Sequence, residues 1–153
     1  MSDRPALICF DGSETARAAV QRAGELLPGR KAIVLSVWTG APAQAGLRNR
    51  VVGYREAARV LDKAAAAWGK ETAQKGVALA AQAGLGARSL VRGSRRDSAA
   101  AIADVIDQAA EAEDVAVIVL GSRGLTAPKS WFVGSVSHTV SQRSQRPVLI
   151  IPH

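Results

Sequence analysis

Apolar residues fall into two kinds of stretch along this chain. Residues 6–10, 32–38, 115–120 and 147–151 are short apolar runs, the second broken only by Ser36. A strand with one wet face alternates apolar and polar positions, so unbroken runs predict strands covered on both faces. Between these runs the apolar positions recur at helical spacing. Ala16, Ala19, Val20, Ala23, Leu26 and Leu27 mark a helix over residues 13–27 that stops at Pro28-Gly29. Ala99, Ile102, Ala103, Val105, Ile106 and Ala109 mark another over 98–112, opposite Asp104, Asp107, Gln108 and Glu111.

The stretch 50–83 is rich in Ala, Lys, Glu, Arg and Gln and predicts one long helix, with Val60, Leu61, Ala64, Trp68 and Ala78 as its expected inner face. Gly69 and Gly76 weaken that helix locally, and Gly84 and Gly86 end it. Residues 87–92 then form a short third strand closed by Gly93-Ser94. Residues 39–49 and 121–133 lack a period and predict loops, and residues 134–144 a short helix. The order is β-α-β-α-β-α-β-α-β, which predicts an α/β fold, a parallel sheet with helices on both faces and right-handed crossovers. Length fits one domain over residues 1–153.

Ligands of such sheets bind beyond the strand C-termini, where the winding order reverses. Two loops belong there, Asp11-Gly12-Ser13 and the segment 121–137. Gly121 and Gly124 lack a Cβ, so their backbone can turn sharply and bring amides close to an anion. Gly134-Ser135-Val136-Ser137 opens a helix, where unpaired N–H groups and two hydroxyls converge. Taken singly, Gly121 reads as a strand end and Ser135 or Ser137 as a helix cap. Together in one loop they favour a phosphate cradle. Asp11 reads equally well as a ligand group or as the cap of the first helix. Arg123, between the glycines, can neutralise phosphate charge or simply solvate the loop.

Gly121-x2-Gly124-x9-Gly134-Ser135 resembles the nucleotide motif G-2x-G-9x-G-(S/T) of the universal stress protein family. The resemblance extends to residues 6–13, to Ile118-Val-Leu-Gly-Ser-Arg-Gly124 and to Arg146-Pro-Val-Leu-Ile-Ile-Pro152. It implies a five-stranded Rossmann-like sheet in the order 3-2-1-4-5, akin to adenine nucleotide alpha hydrolases, and membership of the ATP-binding branch. Carried across by the resemblance, Asp11 would hold the ribose region, and Val37 and Leu120 would line the adenine pocket. Gly121, Arg123 and Gly124 would surround phosphates and ribose, and Gly134, Ser135, Val136 and Ser137 would complete the cradle. The resemblance also implies a homodimer, and the apolar edge strand 147–151 would supply the pairing surface.

Composition changes this picture little. The net charge of +7 and pI near 10.5 suit a solubilising surface, an anionic ligand or nucleic acid alike. Aromatic content of 4% and basic residues spread from Arg4 to Arg146 argue against a single-strand nucleic-acid platform. Arg55, Glu56, Arg59, Asp62 and Lys63 read as a solvated helix face. Cys9 is the single cysteine, so no intrachain disulfide can form, and a reducing compartment is expected. The apolar stretch before Asp11 is about five residues, far shorter than a signal-peptide core or a membrane span, so a cytoplasmic protein is expected.

No Walker loop, G-x-G-x-x-G after the first strand or G-x-S-x-G elbow is present. Gly84-Leu-Gly86 precedes a strand and reads as a helix stop. His138 and His153 are the only histidines, and His138 lacks a visible carboxylate partner, so no catalytic residue or protein-only metal site is assigned. Lys129 stays ambiguous, and Trp131-Phe132 suits a loop anchor or a partner contact. The expected function is a sensor or signalling module for stress response that binds ATP or another adenine nucleotide, with Mg²⁺ carried by the nucleotide. A weak ATPase or nucleotidyl-transferring enzyme and a basic interaction module are the two open alternatives.

Overall fold

A computed structural model describes residues 3–40, 53–123 and 134–152. Nine elements alternate along them: β1 (Ala6–Cys9), α1 (Glu14–Leu26), β2 (Lys31–Thr39), α2 (Tyr54–Gln82), β3 (Gly86–Ser94), α3 (Ala99–Ala112), β4 (Val117–Gly121), α4 (Ser135–Arg143) and β5 (Val148–Ile151). The five strands form one parallel sheet in the order β3-β2-β1-β4-β5. The winding order reverses between β1 and β4, which register Ala6 with Val117 and Ile8 with Val119.

Neighbouring residues of a strand point to opposite faces, and the two halves of the core divide accordingly. Leu7, Ile33, Leu35, Ile118 and Leu120 pack with Ala103, Ile106 and Ala110 of α3 and with Val140 of α4. Ile8, Phe10, Val34 and Val119 pack with Ala16, Ala19, Val20 and Ala23 of α1 and with Ala80 of α2. Burial on both faces explains why the central strands read as unbroken apolar runs. Ser13 and Ser98 cap α1 and α3, accepting from the N–H groups of Ala16 and Ala101 at 3.2 Å.

β3 is longer than the predicted 87–92 and pairs with β2 along its whole length, from Lys31↔Gly86 to Thr39↔Ser94. It is an edge strand, and only Leu90 and Ser94 are buried, so its core pattern is too sparse to mark its ends.

The expected inner face of α2 is corrected. Val60, Leu61 and Trp68 are 60%, 58% and 43% exposed, and Ala64 and Ala78 are exposed as well. The face that packs on the sheet is Gly69, Thr72, Ala73, Gly76 and Ala80. A Cβ on Gly76 would lie 2.6 Å from Val34 Cγ1 and 2.8 Å from Phe10 Cδ1, and one on Gly69 would lie 3.1 Å from Val91 Cγ1. The large side chains are on the sheet, so the helix must be bare where it approaches. At about 1.5 Å per residue α2 is roughly 43 Å long, against roughly 30 Å for β2. Gly69 meets Trp38 near the end of β2, so the turns before Gly69 rise past the strand ends. That overhang leaves Val60 and Leu61 without a sheet to pack on and forms a wall beside the switch point.

Candidate functional site

The turn after β1 is built by its own side chains. Asp11 Oδ1 accepts from the Ser13 N–H at 2.9 Å, and Gly12 takes φ +84°, a left-handed conformation that suits a residue without Cβ. The cap of α1 is therefore Ser13, and Asp11 holds the turn that presents it. Ser36 Oγ donates to the Phe10 carbonyl at 2.6 Å, and the Phe10 N–H donates to Leu35 O at 2.8 Å. These bonds carry the β1–β2 pairing past Cys9, up to the turn.

The segment after β4 is fastened at both ends. Ser122 N–H donates to Ile151 O at 2.9 Å, the Gly134 N–H donates to Ser122 O, and Ser137 Oγ donates to Gly121 O at 2.8 Å. Thr15 Oγ1, in the first turn of α1, donates to the Arg123 carbonyl. The start of α4 is thus drawn against the end of β4, with α1 tied to the same point. The amides of Ser135, Val136 and Ser137 belong to the first turn of α4, which an α-helix leaves without intrahelical acceptors. They carry the positive end of the helix dipole.

A cavity of about 510 Å³ opens between these loops. Asp11, Val37, Leu120, Gly121, Arg123, Gly134, Ser135, Val136 and Ser137 all line it. Gly124, Lys129 and Trp131-Phe132 lie outside the described residues, as does most of the 39–49 loop. Ser137 departs from a simple phosphate-ligand role, because its hydroxyl proton is spent on Gly121 O. Its amide, and an oxygen lone pair, stay available to an anion. His138 is exposed and does not line the cavity.

The cavity also takes in residues that motif reading passed over. Cys9, Leu35, Ile102 and Ile106 wall it on the α3 side, and Asp97 joins them from the turn between β3 and α3. Ile102 and Ile106 read as core because their i, i+4 spacing is that of any buried helix stripe, and Asp97 carries no sequence signal at all. Burial, and secondarily the charges of Asp11 and Asp107, push the Cys9 thiol well above its ordinary pKa. It is therefore a neutral, apolar element of the floor. Among the described residues no group of three or more His, Cys, Asp or Glu could hold a metal ion. Nor is any helix of the described residues long and apolar enough to cross a membrane. The cavity thus has aliphatic walls on its α3 side and is bordered by Arg123 and the first turn of α4.

Comparison with known proteins places the fold. The profile of the universal stress protein family matches residues 4–152. Universal stress protein YxiE of Bacillus subtilis is 48% identical over 48 residues, a stretch covering 31% of this chain and 32% of that protein. The chain thus aligns with about a third of the length of that curated relative. Among solved structures, MJ0577 superposes with a TM-score of 0.77 at 22% identity, covering 99% of this chain and 96% of that one. UspA of Lactobacillus plantarum superposes at 0.72 and 19% identity, covering 99% of each chain. Others of this fold were solved with nucleotide: an Archaeoglobus fulgidus protein with dAMP (TM-score 0.63, 20% identity, 97% of each chain) and an Arabidopsis thaliana protein with AMP (0.61, 18%, 97% and 90%). A further universal stress protein was solved with cAMP.

Proposed function

The chain belongs to the universal stress protein family, and from that premise we propose that it is an ATP-binding sensor or signalling module working in the cytoplasm. The observation that carries the reading is the convergence of Asp11, Val37, Arg123 and the first turn of α4 on one cleft at the β1/β4 switch point. The adenine lies in the apolar slot between Val37, Leu120 and Val136, with the ribose hydroxyls at Asp11. The phosphates meet the amides of residues 135–137 and the Arg123 guanidinium. Relatives solved with AMP, dAMP and cAMP support an adenine nucleotide as the ligand class.

Mg²⁺ fits as a passenger of the nucleotide. Asp11 and Asp97 are the carboxylates among the described lining residues, too few for a protein-only cage, and Mg²⁺ is commonly held by one or two carboxylates plus phosphates. Signalling follows if occupancy repositions the segment between Ser122 and Gly134, whose ends are tied to β4, β5 and α1. β5 pairs with β4 on one side only, and its free edge is the proposed homodimer contact.

Calorimetric titration of nucleotide-stripped protein with ATP and Mg²⁺, beside Gly134→Asp, tests the reading. Saturable binding by the wild type, lost when a carboxylate replaces the phosphate at the α4 N-terminus, is expected. Absence of binding by well-folded wild type would overturn it. Phosphate release from the bound complex separates a retained nucleotide from a hydrolysed one.

A further inference from the structure

The cavity does not stop at the nucleotide slot. Cys9 at the end of β1 and Phe10 just after it both line the cavity, as do Val37 and Trp38 of β2. Because successive strand residues face opposite ways, a hollow lined by both members of each pair passes over the strand ends and opens on both faces of the sheet. The lobe on the α3/α4 face is walled mainly by aliphatic side chains, with Asp97 and the first turn of α4 at its rim. The lobe on the α1/α2 face is bounded by Trp38 of β2 and by Ala65 and Trp68 of the α2 overhang. The polar groups stand between the lobes, where β1 and β4 end in Asp11, Gly121 and Arg123.

Trp38 is set there by two bare backbones. A Cβ on Gly93 of β3 would lie 2.6 Å from its Cζ2 and 2.8 Å from its Cε2, and one on Gly69 of α2 would lie 3.1 Å from its Cδ1. Any side chain at Gly93 would evict the indole. Trp38 as a residue is nonetheless only partly buried. Trp68, one helical turn beyond the small Ala65, keeps 43% of its surface exposed and borders the same lobe. Two indoles bordering a cavity with ring surface left uncovered offer stacking area to a flat group.

We propose that the α1/α2 lobe is a second ring subsite, so that the cleft accepts a ligand with a phosphate bridge at its centre and a planar heteroaromatic ring at each end, a dinucleoside polyphosphate in chemical class. The proposal rests on the nucleotide-binding reading above for the first ring and the bridge. The aliphatic lobe takes one base, the groups at Asp11, Arg123 and the α4 N-terminus take the bridge, and the indole lobe takes the second base. A mononucleotide leaves the indoles uncovered.

The test compares two probes with the same phosphate chain, adenosine 5′-tetraphosphate and P1,P4-di(adenosine-5′) tetraphosphate, by calorimetry on the full chain. The two-ring probe is expected to bind at least tenfold more tightly to the wild type. That ratio should fall to about one in Trp68→Ala, which removes a wall, and in Ala65→Trp, which fills the lobe, with helical circular dichroism retained in both. Equal affinities in the wild type, or a tenfold ratio that survives both substitutions, would overturn the second subsite while leaving mononucleotide binding intact. Failure of the folded wild type to bind either probe would instead overturn the nucleotide-binding reading, and the second subsite with it.

Discussion

A Cβ placed on Gly121 would lie 2.7 Å from the carbonyl carbon of Thr15 and 2.8 Å from its carbonyl oxygen. The last residue of β4 and the first turn of α1 therefore meet backbone to backbone, directly beneath the candidate phosphate site. Neither partner can rotate out of the way as a side chain would. The glycine is required by this approach even before any ligand is considered.

Gly121→Ala should accordingly separate α1 from β4 and cost about 1–3 kcal/mol, the usual range for overpacking. Since the Thr15 hydroxyl also holds the Arg123 carbonyl, the same shift should weaken ATP binding by at least about tenfold. Urea denaturation and calorimetry on one preparation would read both effects.

Gly76→Ala sets two magnitudes against each other. Alanine gains about 1 kcal/mol of helix propensity over glycine. The new methyl would meet Val34 Cγ1 at 2.6 Å and the Phe10 ring at 2.8 Å, a clash in the range of about 1–3 kcal/mol. The clash should win, giving a net loss of about 1 kcal/mol in chemical denaturation. A stabilised variant would show that the sheet yields here.

Asp114 adopts φ +44° and accepts from Arg146 Nη1 at 3.1 Å and Arg4 Nη1 at 3.4 Å. The Arg146 hydrogen bond first, and then Arg4, hold its carboxyl below the ordinary carboxylate pKa. A depressed folded pKa stabilises the protein above the unfolded value of about 4. That contribution is lost as pH falls through the folded value. Asp114→Asn, which tolerates the left-handed backbone, should be less stable than wild type at pH 7. The gap should close as pH falls through the depressed folded pKa, below which both states of the wild-type carboxyl are protonated. The effect is small because the group is exposed. Denaturation midpoints across that range would measure it.

Cys9 should resist alkylation. Its thiol is held protonated, chiefly by burial, and the thiolate is the reactive form. At pH 8 iodoacetamide should label the native chain at least about tenfold more slowly than the chain in denaturant, by mass spectrometry. Equal rates would mean that the thiol ionises as readily in the cleft floor as in the unfolded chain.

Most of the fold is legible because the central strands are buried twice over. Residues 6–10, 32–38 and 115–120 announce themselves as apolar runs, and Ser13 and Ser98 mark the starts of α1 and α3 by their own hydrogen bonds. The phosphate-type loop is legible for a similar reason: sharp turns and helix starts are local features, written in glycines and hydroxyls close together in the chain. Asp97, Ile102 and Ile106 were not legible as cleft residues, because nothing near them in the chain distinguishes a helix start and a core stripe from a pocket wall.

The two faces of α2 show where the boundary falls. Gly69, Thr72, Ala73, Gly76 and Ala80 repeat at helical spacing, but so do Val60, Leu61, Ala64 and Trp68, and hydropathy alone prefers the second set. The sequence by itself determined the order of elements, the parallel architecture and the position of the glycine loop, since each depends on residues within a few turns of one another. Only the tertiary structure decided that α2 packs by its smallest residues, that Ser137 is committed to Gly121, and that the cleft reaches over the strand ends to Trp38 and Trp68. Those outcomes depend on how the bulk of one element fits the hollow of another far away in the chain, and complementarity of that kind exists only once both surfaces are in contact.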